Sequence, residues 1–249
     1  MKIVMSILFS IFGLFVPESI WVTQEGYYIS QMGKLYTADG SVLYQSRMGN
    51  YVIENLVDPR GIYVENETLW IADKDRLIEY SLKSHTYKIY TPVTGSAKYL
   101  NDVVKYNGEM YVSDTYGDTI YILRENELYP VLSIAYPNGL STDGEYLYIV
   151  SFTDPASLFV SDGNKVVKKM VLKGISYGDG LAYDRKNDLF FVSGYESGNI
   201  GVFTRDGRFL YEFSGLGKPA DLFFDEKNEI LYVPDMENGK LTALKVEIK

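Results

Sequence analysis

An all-β fold, a six-bladed β-propeller with four short antiparallel strands per blade, is the architecture this sequence predicts, and three observations predict it. First, one phrase returns six times: a small polar or Pro/Gly turn, a short apolar run, a second turn, then an aromatic-rich run ending in a polar residue. The copies begin near Pro17, Pro59, Asn101, Asn138, Asp179 and Pro219. With Glu18, Arg60, Asn101, Asn138, Asp179 and Ala220 as phase markers, the steps are 42, 41, 37, 41 and 41 residues. A fixed period in this range means a solenoid, an array or a propeller. Second, Asn-Gly and Asp-Gly pairs punctuate the β-rich runs, as tight hairpins require. Third, no stretch carries a sustained 3.6-residue apolar pattern with caps, so almost no helix is expected.

The third copy shows the unit. Asp102 to Tyr106 reads as one strand, Asn107-Gly108 as a tight turn and Glu109 to Ser113 as a second strand. A loop from Asp114 to Asp118 leads into a third strand, Thr119 to Arg124, and Glu125-Asn126-Glu127 turns the chain into a fourth, Leu128 to Leu132. Asp39-Gly40, Asp162-Gly163 and Asp206-Gly207 are assigned to the corresponding late turn of other copies. Aromatic residues make up 15% of the chain and 23 residues are Tyr, a load that suits stacked sheets, where a Tyr body packs while its hydroxyl reaches a wet edge.

The first residues differ from the rest. Lys2 precedes an apolar run from Ile3 to Val16, interrupted only by Ser6, Ser10 and Gly13. The run is shorter than the about 20 apolar residues that span a bilayer. It matches a secretory signal with cleavage after Gly13, which divides the chain into residues 1–13 and a propeller over 14–249 and places the protein outside the cytoplasm, secreted or periplasmic. The alternative is a cytoplasmic protein in which this run is the strand that closes the ring, since the sixth copy has room for one more.

Composition excludes several function classes. A net charge of −9 with scattered lysines argues against nucleic acid as a partner. Zero cysteines exclude thiolate nucleophiles and Cys-based zinc sites, and a single histidine, His85, removes every mechanism that needs a pair. His85 lies in a turn, Lys83 to Thr86, and reads as a surface residue. No stable membrane span is expected, and a monomer is.

In a propeller the first strand of each blade lines the central channel, so residues just ahead of it crowd one mouth. Glu18, Asn101, Asn138 and Asp179 hold that position in four copies. Four oxygen-bearing side chains from four blades form a cage for a hard cation, and carboxylates with amide carbonyls suit calcium. The plain alternative is that Asn138-Gly139 and Asp179-Gly180 are turns. They stand at the blade entrance, however, and not at the hairpins that Asn107-Gly108 and Asp143-Gly144 fill.

Pro17-Glu18-Ser19-Ile20-Trp21, Leu100-Asn101-Asp102, Pro137-Asn138-Gly139-Leu140 and Gly178-Asp179-Gly180-Leu181 together resemble the senescence-marker-protein, gluconolactonase and luciferin-regenerating-enzyme family of six-bladed propellers. The resemblance runs from Pro17 to about Pro234. It implies Glu18, Asn138 and Asp179 as ligands of a divalent metal, with Asn101 beside it as a neighbouring substrate or ligand group. Members that hydrolyse sugar-acid lactones usually carry an Arg two residues before the blade-three Asn, where this chain has Tyr99. The copies also resemble NHL repeats, which build the same propeller as a recognition scaffold. The strand-ending Asp73, Asp114 and Asp235 fit the structural acid of those repeats.

The function expected from this reading is calcium-dependent hydrolysis of a small lactone or ester at the channel mouth. The alternative is a non-catalytic, NHL-like scaffold that binds a ligand or protein. In the enzyme, Asp179 is the candidate general base or nucleophile and Asn101 the oxyanion donor, a contact worth about 3 kcal/mol when well placed. Arg60 at the entrance of blade two is the candidate anion contact in place of the Arg replaced by Tyr99. Asp102 is expected to point away into its blade, because successive strand residues face opposite sides.

Overall fold

In a computed structural model, which describes residues 2–249, the chain forms six four-stranded antiparallel sheets, 24 strands in all among the described residues. In blades one to five the strands follow chain order from the channel outward. Their inner strands are Pro17–Val22, Pro59–Glu65, Leu100–Tyr106, Pro137–Thr142 and Gly178–Asp184. Blade six has Phe223–Asp225 innermost, then Ile230–Asp235 and Lys240–Ile248, and its outermost strand is Ile3–Phe12. The apolar N-terminal run is thus seated on Lys240–Ile248, paired from Ile3 opposite Ile248 to Phe12 opposite Lys240 with one register shift between Ile7 and Phe9. Met1, the first residue of the expected signal segment, lies outside the described residues.

Helix is limited to one 3₁₀ turn, Thr115–Gly117, among the described residues. It occupies the loop expected between Asp114 and Asp118. No helix among the described residues is long and apolar enough to cross a membrane. The hairpin chemistry is borne out at Asn107-Gly108, where both residues have positive φ, 50° and 86°. Gly163 and Gly207 also turn with positive φ. Asp39-Gly40 departs from the expectation. Gly40 opens a strand, Gly40–Ser46, and a Cβ there would stand 2.4 Å from the Pro59 ring, so glycine serves close packing on blade two.

The core lies between the blades. Tyr148, Val150, Leu158, Phe190, Val192 and Phe203 fill the gap between blades four and five, and comparable clusters fill the others. Between blades six and one only Ile20, Ile29 and Leu241 are fully buried in the cluster, with Ile11 and Leu14 of the N-terminal segment packed against them. Ile3 and Met5 enter the cluster between blades five and six. The closing strand therefore supplies apolar area to the two interfaces that close the ring.

A backbone irregularity shared by five blades builds the channel. The register between first and second strands shifts between Pro17 and Ile20, Pro59 and Ile62, Leu100 and Val103, Pro137 and Leu140, and Gly178 and Leu181. Two residues of each inner strand thus escape the ladder, the signature of a β-bulge. In three blades the N–H freed by the bulge is satisfied by a fully buried serine of the second strand. Ser19 N donates to Ser30 Oγ at 2.9 Å, Asp102 N to Ser113 Oγ at 2.9 Å and Gly180 N to Ser193 Oγ at 2.6 Å.

Candidate functional site

Two rings of residues stack along the channel, set in blades one to five by the bulges. The first is formed by Glu18, Arg60, Asn101, Asn138, Asp179 and Ala220, the six phase markers of the repeat. Arg60, Asn101, Asn138 and Asp179 line one cavity of about 720 Å³ at the mouth, together with Tyr99. Glu18 is fully buried beside them, its Oε1 3.7 Å from Arg60 Nη1. The structure thus brings together all six residues assigned to the site.

Small structural acids aim this ring. Asp73, at the end of the second strand of blade two, accepts the N–H groups of Val57 and Asp58, both at 2.9 Å. That pins the segment entering the inner strand that carries Arg60. Asp114 does the same for Lys98 and Tyr99 at 2.8 and 2.7 Å, ahead of Asn101, and Asp235 for Gly217 and Lys218. The three acids also hold the turn that follows them, through Arg76, Gly117 and Asn238 respectively.

The first ring is rich in unpaired acceptors. Glu18 Oε1 and Oε2, Asn138 Oδ1 and Asp179 Oδ1 are buried without a hydrogen-bond partner, and so is one donor, Arg60 Nε. Buried polar atoms are ordinarily bonded, and each exception calls for a reason such as an ion. Burial holds the Glu18 carboxyl well above the usual carboxylate range; Asp179 pushes it further up and Arg60 opposes. The Asp179 carboxyl is pushed up to about 7 by burial, with Arg60 opposing and Asp221 adding. Two carboxylates and one amide with four bare oxygens fit a hard divalent ion better than a histidine-type metal. Among the described residues no three His, Cys, Asp or Glu side chains gather at one point, so any ion here relies on the amides.

Arg60 joins this ring from inside the protein. It is 9% exposed, and its guanidinium carbon lies 4.0 Å from the centroid of the Tyr99 ring. Tyr99, where an arginine was looked for, instead seats the arginine supplied by blade two.

The second ring was missed in part by sequence reasoning. It comprises Ser19, Gly61, Asp102, Gly139, Gly180 and Asp221. Asp102 does not point into its blade. The bulge breaks the alternation, and Asp102 Oδ2 accepts Leu140 N of the next blade at 2.6 Å. Asp221 Oδ2 accepts Ser19 Oγ at 2.6 Å, tying blade six to blade one. Burial pushes the Asp221 carboxyl up to about 6, opposed by the Ser19 hydroxyl, and raises that of Asp102 well above its ordinary value. The glycines admit these contacts: a Cβ on Gly61 would stand 2.4 Å from Asp102 Oδ1, and one on Gly180 2.6 Å from the Asp221 Cα. The signal was present in the phase, since Asp102 and Asp221 each follow a marker residue.

His85 sits in an exposed turn of blade two, where its Nδ1 is 3.1 Å from the Tyr80 hydroxyl. It takes no part in the mouth.

No family model matches the sequence, and no curated protein does. Solved structures do resemble the fold. Virginiamycin B lyase from Staphylococcus aureus superposes with a TM-score of 0.71 at 12% identity, covering 98% of this chain and 99% of the lyase. A catalytically inactive histidine-to-alanine variant of that lyase with quinupristin gives 0.70 at 12% identity, over 98% and 99%. A gluconolactonase from Xanthomonas campestris gives 0.72 at 17% identity, over 94% of this chain and 87% of the enzyme. At these identities the likeness shows the fold alone.

Proposed function

We propose that the chain is a divalent-metal-dependent hydrolase of a small lactone or ester, with the ion held at the channel mouth by Glu18, Asn138 and Asp179. One observation carries the reading: four buried oxygens of these three residues lack a hydrogen-bond partner and belong to one ring. A bound calcium ion would supply Lewis acidity toward a carbonyl oxygen. The remaining work falls to the chain. Asp179, a carboxylate of the first ring that lines the cavity, takes a proton from the attacking water. The Asn101 amide donates to the oxygen that gains charge, and Arg60 offers its unpaired Nε to an anionic group of the substrate. The gluconolactonase among the structural neighbours supports a lactone as the first substrate to try.

A lyase reaction of the kind lost in the histidine-to-alanine variant is disfavoured, since His85 lies in an outer turn and no other histidine exists. A second reading is favoured by Arg60. A guanidinium 3.7 Å from Glu18 partly balances the ring from within, as a binding scaffold without an ion would need. The two readings separate on turnover. Lactones and aryl esters are to be assayed with calcium and with chelator, on the native protein and Asp179→Asn. The hydrolase requires chelator-sensitive turnover that falls by about 10²–10⁴-fold in the variant. Turnover absent from every substrate would leave the scaffold.

Export, with cleavage after Gly13, is a separate proposal supported by the composition of the N-terminal run. A cleaved chain would lack the outer strand of blade six. Mass spectrometry of the protein from its native host tests this: a start at Leu14 supports export, and a retained Ile3–Phe12 segment opposes it.

A further inference from the structure

Above the acidic floor, the walls of the mouth are aromatic. Tyr99, Tyr116, Phe152, Tyr177 and Tyr195 line the cavity from three blades. Their rings form two groups: Tyr99 and Tyr116 centroids are 5.2 Å apart, and Phe152 lies 5.1 Å from Tyr177 and 5.5 Å from Tyr195. Tyr116 is 55% exposed and Tyr177 39%, so these faces are open where most large side chains of the molecule are packed. On the opposite wall stand Met32, Leu35 and Met236.

Backbone conformation adds a second, independent observation. Tyr177 has φ 54°, and Tyr136 and Val16, at the equivalent positions before the inner strands of blades four and one, have φ 49° and 54°. A bulky residue in the left-handed region is an outlier, and such residues cluster where function requires them. Elsewhere in this chain many such positions carry Gly, Asn or Asp, the residues that tolerate them. The Tyr177 backbone bridges two loops, its N–H donating to Thr153 O and its carbonyl accepting Tyr195 N, both at 2.9 Å. Glycine would satisfy that bridge equally well, so the bridge does not explain the ring.

Two polar side chains of the walls are already engaged. Thr115 Oγ1 donates to Pro137 O at 2.8 Å, and Glu196 pairs with Lys218 at 3.1 Å. A flat apolar ring finds stacking faces on Phe152 and Tyr177 and thioether contacts from Met32 and Met236. A volume of about 720 Å³ holds a ligand of two fused rings or more.

We infer that the mouth recognises an aryl group: its ligand is an aryl ester or an aryl-bearing lactone, not a polyhydroxylated sugar lactone. The inference rests on the proposed hydrolase for the word ester, while ring binding itself needs only the collar. The ring lies among Phe152, Tyr177 and Tyr195, and the scissile carbonyl reaches down toward Asn101 and Asp179.

The test separates binding from turnover. N-(2-naphthyl)acetamide, a stable amide analogue of an aryl ester, is titrated by fluorescence and equilibrium dialysis against the full chain, with calcium and with chelator. Saturable binding is expected, weakened at least tenfold in Phe152→Ala and in Tyr177→Gly. Tyr177→Gly should melt at an unchanged or higher temperature, because it removes the left-handed tyrosine; this separates lost recognition from lost folding. No saturable binding below about 1 mM, or equal binding in both variants, overturns the inference. So does calcium-dependent hydrolysis of glucono-lactone faster than that of 2-naphthyl acetate, an outcome that leaves the hydrolase standing. Ring binding with no turnover under any condition upholds the collar and removes the hydrolase.

Discussion

The guanidinium carbon of Arg60 lies 4.0 Å from the Tyr99 ring centroid while Arg60 Nη1 stands 3.7 Å from Glu18 Oε1. One buried cation is therefore shared between an aromatic face and a carboxylate that the proposed ion also needs. Stacking on Tyr99 orients the guanidinium without using its hydrogen bonds.

Removing that charge should act in opposite directions on the two states. Arg60→Gln leaves the Glu18 carboxylate uncompensated in the metal-free protein, and breaking a buried pair from one side typically costs about 3–5 kcal/mol. The same change removes repulsion on an incoming divalent ion. Calcium affinity should rise by about tenfold or more, one factor of ten for each 1.4 kcal/mol relieved. Calorimetric titration and metal-free melting check both halves. A variant that binds calcium more weakly than the native protein would show that Arg60 assists the ion and does not oppose it.

The pH dependence of the metal-free protein has a definite sign. Burial pushes Asp179 up to about 7 and Asp221 up to about 6, above the 3.8 of an ordinary aspartate. The native state therefore holds these protons more tightly than the unfolded chain. Their contribution to stability is complete below about pH 4 and is lost as pH rises through 6 and 7. In chelator, the melting temperature should fall between pH 5 and pH 8, at about 2–4 °C for each kcal/mol lost in a domain of this size. Asp179→Asn should flatten the slope. A metal-free protein that grows more stable over this interval would contradict the packing of these acids.

The outer strand of blade six can be removed. Ile3 and Met5 are buried, and Ile11 and Leu14 pack where the ring closes. Deleting residues 1–13 exposes Leu244 and Val246, each apolar side chain uncovered costing about 1.5–3 kcal/mol. The truncated chain should melt at least 10 °C lower or associate through the bared edge of Lys240–Ile248. Scanning calorimetry with sedimentation decides, and a truncated monomer of native melting temperature would show that the strand contributes nothing.

Much of this fold was legible because a period is a global constraint written locally. Each marker from Glu18 to Ala220 occupies the equivalent place in its blade, so spacing alone counted the blades and gathered the mouth. Asn107-Gly108 was legible because few other pairs tolerate two positive φ angles in succession. Asp102 was not. Alternation along a strand is the rule that a bulge suspends, and the bulge is stabilised by Ser113, eleven residues away. The N-terminal run was ambiguous for a physical reason. A secretory segment and a closing strand both demand apolar residues, and the partner strand Lys240–Ile248 lies at the other end of the chain, out of reach of local composition. The aromatic collar escaped as well, because its rings come from loops that alternate between two positions of each repeat.

The central claim is that four orphaned oxygens mark a cation site, and the most direct measurement is thermal melting under calcium titration. A ligand bound only by the native state stabilises it by mass action, about 2.7 kcal/mol at a hundredfold excess over Kd. The account predicts a melting temperature that climbs with calcium in the native protein and stays flat in Glu18→Gln and Asp179→Asn, with both variants folded in chelator. A native protein whose melting temperature ignores calcium and every other divalent ion, and which carries no bound metal, would contradict it.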